Sequence, residues 1–324
     1  MTMLAEPVYL DSYLAPLAGW LARADITDIY VNRPQEVWIE TLGGATERHA
    51  APALTDQVLQ RLARQIAACS AQGISREAPL LAASLPDGSR VQVVLPPATR
   101  GDVALAIRKH VSAGLALDAW KGSGVIAAPS AQRASTEWRV DHNTEVIETL
   151  RSAVRARRNI LISGGTSSGK TTFLNALLRE IPAEERLILI EDTPELQLVH
   201  TNAVGLIAAR GRMGEADVSA EDLLIAALRM RPDRIVLGEI RGGEAMTFLR
   251  AINTGHPGSL STIHADSPER AIDQLALLVL QTGSKLSWDN VVQYIHKSID
   301  VIVQLARAGG VRSIESAMIS SKAV

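Results

Sequence analysis

Ile160-Leu161-Ile162-Ser163-Gly164-Gly165-Thr166-Ser167-Ser168-Gly169-Lys170-Thr171-Thr172 is the stretch on which the reading of the chain turns. An apolar run ends in glycines and resumes as Phe173-Leu174-Asn175-Ala176-Leu177-Leu178, so the expected order is strand, loop, helix. Gly164 to Thr171 fits G-x-x-x-x-G-K-[ST], a loop in which each fixed residue type has a task. Glycines let the backbone approach phosphate oxygens, and a ring of N–H groups with a helix start then faces one anion. Lys170 adds a point charge for the β- and γ-phosphates, and the Thr171 hydroxyl is placed to ligate Mg²⁺. Gly164, Gly165, Thr166, Ser167, Ser168, Gly169, Lys170, Thr171 and Thr172 are thus the candidate ATP-binding residues. Ser167 stands where many such loops carry glycine, a slot expected to tolerate it.

Downstream, strands and helices alternate, which signals a doubly wound, mainly parallel α/β sheet. The expected strands are Asn159–Ser163, Arg186–Glu191, Arg234–Gly238, Ser259–Ile263, Ile299–Leu305 and Val311–Met318. Asn143 is expected to cap a helix with Val146, Ile147, Leu150 and Val154 on one side, and Ser219-Ala220-Glu221-Asp222 reads as a capping box. Upstream, a helix capped by Asp11, strands at 29–31 and 37–39, a helix opened by Thr55 and a hairpin around Pro86-Asp87-Gly88-Ser89 predict a smaller α+β unit. The expected division is an N-terminal domain at 1–111, a Gly/Ser/Ala-rich linker at 112–137 and a P-loop domain at 138–324.

Ligands of open α/β sheets collect at the carboxyl ends of strands. Glu191 ends one strand and is placed to orient or deprotonate an attacking water. Glu239 follows Gly238, which fills the slot where such proteins usually carry a metal-supporting aspartate, so Glu239 is the candidate for the Mg²⁺ shell. Which of the two carboxylates is the base is open at this level. Arg231, at a helix-to-strand turn, is either a solvated cation or one offered to a neighbour's phosphate. His264 ends another strand within reach of a γ-phosphate, and with His256 it has no partner at metal-ligand spacing.

Bulk properties bound the rest. A length of 324 residues suggests about two domains, and 47% hydrophobic against 21% charged residues argues against disorder. A formal net charge of -2 gives no bulk attraction to nucleic acid, so direct nucleic-acid binding is not expected. The arginines at 151, 155, 157 and 158 are expected to complement a helix end. Cys69 is alone, which excludes an internal disulfide and suits a reducing compartment. The longest aliphatic run, Leu275 to Leu280, is too short to span a bilayer.

In order, the motifs resemble the secretion ATPase superfamily, in particular the traffic ATPases of type IV secretion and conjugal transfer. The likeness is carried by the loop 164–171, by Ile190-Glu191-Asp192-Thr193-Pro194-Glu195-Leu196, by the run from Arg229 to Arg241, and by Thr254-Gly255-His256-Pro257-Gly258 through His264-Ala265. It implies a RecA-like domain in a homo-hexameric ring with MgATP held between two tiers. It further implies a cytoplasmic protein, peripheral on the inner face of the inner membrane, with inner-membrane components of a secretion machine as partners. By similarity, Arg90 and Arg108 are the N-terminal arginines that reach the nucleotide, and Arg231 is offered across the subunit boundary. Pilus assembly or retraction motors and nucleic-acid-dependent RecA-like ATPases share parts of this pattern and stand as alternatives.

Overall fold

The computed structural model describes residues 8–109, 145–209 and 215–320. The expected linker at 112–137 and the Asn143 cap lie outside them.

The first part comprises α1 (Val8–Leu14), a 3-10 turn (Ala15–Leu17), α2 (Ala18–Ala22), β1 (Ile26–Val31), β2 (Glu36–Thr41), β3 (Thr46–Ala50), α3 (Asp56–Cys69), β4 (Leu80–Ser84), β5 (Arg90–Val94) and β6 (Ala104–Arg108). The strands form one antiparallel sheet in the order β3-β2-β1-β6-β5-β4. Strand alternation sends Ile29, Val31, Val93, Leu105 and Ile107 into a core shared with α1 and α3. Their neighbours Tyr30, Val94, Ala104 and Ala106 face the other way, into a core shared with the second part of the chain. The sheet is thus packed on both faces, and a one-residue slip would exchange the two contacts.

The second part comprises α4 (Val146–Arg155), β7 (Ile160–Gly164), α5 (Lys170–Leu178), β8 (Leu187–Glu191), β9 (Ala203–Ile207), α6 (Ala220–Arg229), β10 (Arg234–Leu237), α7 (Glu244–Asn253), β11 (Leu260–Ile263), α8 (Pro268–Gln281), α9 (Trp288–Ser298), β12 (Val301–Ala308) and β13 (Val311–Ile319). Its sheet runs β13-β12-β7-β11-β10-β8-β9, parallel except for the β12–β13 hairpin. Helices cover both faces: α4 and α5 pack with Ile160, Ile162, Leu187 and Leu189, while α6 to α9 pack with Leu161, Ile188, Ile190 and Ile235. This is the doubly wound α/β architecture expected from the alternation of elements.

Local expectations fared unevenly. Ser219 and Asp222 form the capping box, Thr55 caps α3, and Asp87 accepts from Ser89 N in the hairpin turn. Asp11 is no cap, because α1 begins at Val8 and carries Asp11 inside its first turn. The N-cap of α4 is Glu145, which makes no side-chain capping bond. Val146 and Ile147 are exposed, and the inward face of α4 is Thr149, Leu150, Ala153 and Val154. Strands β3 and β9 were not anticipated. The first has an almost wholly exposed sequence, Thr-Glu-Arg-His-Ala, and the second is a short edge strand with Gly205 at its centre.

Candidate functional site

The carboxyl ends of β7, β8, β10 and β11 fall on one rim because their registers align. Leu237 pairs with Ile190 and Ile263 pairs with Ser163, so the residues that follow each strand emerge side by side. A cleft of about 520 Å³ opens there, a size common for small-molecule sites. It is lined by Gly165 to Thr172, Glu191, Asp192, Glu239, Arg241, His264 and Arg312, among others.

Loop geometry explains the glycines. A Cβ on Gly164 would stand 2.5 Å from Ser168 Oγ and 2.9 Å from Leu305 O. Gly169 has φ +95° and is the N-cap of α5, leaving that helix's first N–H groups facing the cleft. Ser167 also sits at φ +61°, so a left-handed residue is what glycine supplies in that slot elsewhere; serine carries about 1 kcal/mol of strain here. Ser168 Oγ is buried with no hydrogen-bond partner.

Lys170 Nζ donates to Gly164 O at 2.8 Å and Gly165 O at 3.3 Å, and lies 3.5 Å from His264 Nδ1. Burial lowers its pKa, with Glu239 opposing and Arg241 adding to the shift. Arg241 holds Asp192 at 3.0 Å and Glu239 at 2.5 Å, drawing the carboxylates of two strand ends together. Glu191 is 5% exposed; its Oε2 accepts from the N–H groups of Glu195 and Leu196 at 2.8 and 2.7 Å, and its Oε1 pairs with Arg100.

Among the described residues no group of three His, Cys, Asp or Glu side chains is arranged to hold a metal. Thr171 and Glu239 supply oxygen donors at the cleft, so a magnesium ion fits only together with a nucleotide's phosphates, as that ion's preference for water and phosphate oxygens requires.

The structure therefore brings together the loop, Glu191, Glu239 and His264. It does not bring Arg90, Arg108 or Arg231 to the cleft of their own chain, whose lining runs from residue 165 to 312. Arg90 and Arg108 are opposite each other on β5 and β6, and Arg108 Nε donates to Asp28 at 2.9 Å. Arg231 Nη2 donates to Glu40 at 3.0 Å, across the seam between the two parts of the chain. Asp28 and Glu40 are cross-strand partners on β1 and β2, so Arg108 and Arg231, which donate to them, stand near each other; burial first, and then both cations, lower the pKa of His256. The arginines at 151, 155, 157 and 158 are each engaged by a carboxylate, from Glu148, Glu180, Glu185, Asp233 and Asp300, and form no open basic track.

The sequence did not single out Arg241 and Arg312, which line the cleft, or Arg100, which pairs with Glu191. Arg241 was in plain view within a quoted motif, whereas Arg100 and Arg312 lie far from the loop in sequence and carry no local signal.

The family model described as Type II/IV secretion system protein matches residues 12–318. A type IV secretion system protein VirB11 from Bartonella quintana is 38% identical over 317 residues, covering 92% of this chain and 89% of that one. A PtlH homolog, also described as a type IV secretion system protein, from Bordetella bronchiseptica is 42% identical over 313 residues, covering 93% and 91%. The crystal structure of the VirB11 ATPase of the Brucella suis type IV secretion system, in complex with sulphate, superposes with a TM-score of 0.86 at 36% identity over 97% of this chain and 95% of that one. The chain belongs to the type II/IV secretion system protein family and is an ATPase of its type IV branch.

Proposed function

We propose that this secretion ATPase works as a ring of identical chains, in which Arg231 of one copy, with Arg90 and Arg108, completes the phosphate-binding cleft of the next. One observation carries the reading: lysine, carboxylates and histidine converge on the loop, while Arg90, Arg108 and Arg231 gather away from it around the paired Asp28 and Glu40 of the same chain. Two unlike half-sites on one molecule join head to tail, and head-to-tail contacts form a ring when the rotation between copies closes. Six copies is the number the family resemblance implies.

In this arrangement Lys170, the loop N–H groups and the start of α5 hold the phosphates, while Thr171 and Glu239 support magnesium. That ion, when bound, offsets charge on the phosphates. Glu191 positions the attacking water, Arg231 offsets transition-state charge, and His264, beside Lys170, registers the γ-phosphate. The moving units are the N-terminal domain at 1–111 and the ATPase domain at 138–324, joined by 112–137. Their opening and closing drives a type IV secretion machine, with inner-membrane components as partners and a peripheral place on the cytoplasmic side. Among the described residues no helix is long and apolar enough to cross a membrane.

The test pairs native mass measurement with phosphate release. MgATP is expected to favour a hexamer, with hydrolysis confined to the assembled species. Full hydrolysis by a monomer would overturn the shared-site reading.

A further inference from the structure

We propose that Arg100, on the connection between β5 and β6, is a positioning residue for ATP hydrolysis that fixes the Glu191 carboxylate and ties it to the N-terminal domain. This rests on the reading of Glu191 given above.

The connection is built onto the ATPase sheet itself. Strand β9 is the outer edge of that sheet, and residues 98–100 lie along it: Ile207 N donates to Ala98 O at 3.0 Å, Arg100 N donates to Gly205 O at 3.2 Å, and Thr99 bridges Leu206. The N-terminal domain is thus bridged, antiparallel, to the edge of the sheet that carries the cleft. Thr99 Oγ1 donates to Asp102 O at 2.6 Å and steadies the turn. From this base the Arg100 side chain reaches past β9 to Glu191 Oε1, at the end of the neighbouring strand β8.

The passage explains a glycine. Gly205 lies inside a strand with no left-handed φ, so its backbone does not call for glycine. A Cβ there would stand 2.6 Å from both Cδ and Nε of Arg100 and 3.0 Å from its Cγ. Glycine inside a strand marks close approach by another group, and here the group is this arginine. Both oxygens of Glu191 are then held from different sides, Oε2 by the turn at 195–196 and Oε1 by the N-terminal domain. Removing the second hold leaves the carboxylate free to turn about the first, and misplacement of about 1 Å can cost about 10²-fold in rate.

Steady-state hydrolysis by the full chain tests this with Arg100→Ala, Arg100→Lys, Gly205→Ala, the Arg100→Ala/Gly205→Ala double variant and Glu191→Gln, each checked by thermal unfolding. Arg100→Ala is expected to lower kcat about 10²-fold with KM little changed, because Arg100 does not line the nucleotide cleft. Arg100→Lys recovers part of the rate. Gly205→Ala reproduces the loss on the native background and adds nothing on the Arg100→Ala background, where the obstructed side chain is gone. A wild-type kcat in Arg100→Ala, or full additivity in the double variant, overturns the proposal. If Glu191→Gln is inactive while Arg100→Ala is normal, only the role of Arg100 falls. If Glu191→Gln hydrolyses at the wild-type rate, the reading of Glu191 falls with it.

Discussion

Arg231 reaches Glu40 at 3.0 Å from a backbone held at φ +56°, immediately before Pro232. A bulky residue in the left-handed region costs on the order of 1–3 kcal/mol, and such strain persists where the surroundings impose it. The conformation turns the guanidinium toward the N-terminal domain of its own chain and away from its own cleft. Arg231→Ala is expected to reduce kcat about 10³-fold or more while nucleotide binding changes little. Phosphate release alongside nucleotide titration checks it. Both groups of the pair are partly exposed, so its loss should cost less than about 1 kcal/mol of stability, and a dead variant would not be an unfolded one.

Arg234, three residues on, behaves differently. It is fully buried, donates to both oxygens of Glu185 at 2.7 Å and to Val154 O at 2.7 Å, and its Nη1 would lie 2.7 Å from a Cβ on Gly258. Arg234→Ala leaves the buried Glu185 with only the half-exposed Arg157, 3.1 Å away, a loss of about 3 kcal/mol, at the low end for breaking a buried ion pair. Thermal unfolding should show a fall of about 10 °C. Gly258→Ala is predicted to destabilise as well, through the same clash and its φ of +83°.

His256 sets a pH dependence. Its pKa lies below the ordinary 6.5, through burial first and then through Arg231 and Arg108, against the opposing hydrogen bond to Pro232 O. The unfolded chain therefore binds this proton more readily than the folded one. The stability it contributes is complete above about pH 6.5 and is lost as pH falls toward the folded pKa. The unfolding temperature of His256→Gln should fall less steeply between about pH 7 and 5 than that of the native chain.

Arg312 enters the cleft from β13, with its Cδ 2.9 Å from where a Cβ on Gly169 would be. Arg312→Ala is expected to raise the KM for ATP by about tenfold with a smaller change in kcat, the mark of a group that binds ground state and transition state alike. A reduced kcat at unchanged KM would place it in the chemistry instead.

Much of this fold was legible because the second part of the chain alternates sharply. Ile160-Leu161-Ile162 and Leu187-Ile188-Leu189-Ile190 are apolar on both faces, as strands between two helix layers must be. The cleft was legible for a related reason: Glu191, Glu239 and His264 each follow such a strand, so finding the strands found the residues. Strand β9 escaped because Ala203-Val204-Gly205-Leu206-Ile207 carries its glycine for the sake of a side chain about a hundred residues away. Asp11 misled because α1 already begins at Val8, and the single expected helix is divided at Pro16 into α1, a 3-10 turn and α2. The arginines could be named from the motif but not placed, since their partners, Glu40 for Arg231 and Asp28 for Arg108, come from distant elements.

Subunit mixing asks directly whether the cleft and the arginines meet across copies. Lys170→Ala keeps Arg231 but loses the phosphate grip, and Arg231→Ala does the reverse. Each alone should be nearly inactive. Equal mixing with subunit exchange should restore about a quarter of native hydrolysis, the share of interfaces that join an intact cleft to an intact arginine. No recovery after verified exchange would contradict a site shared between neighbouring chains.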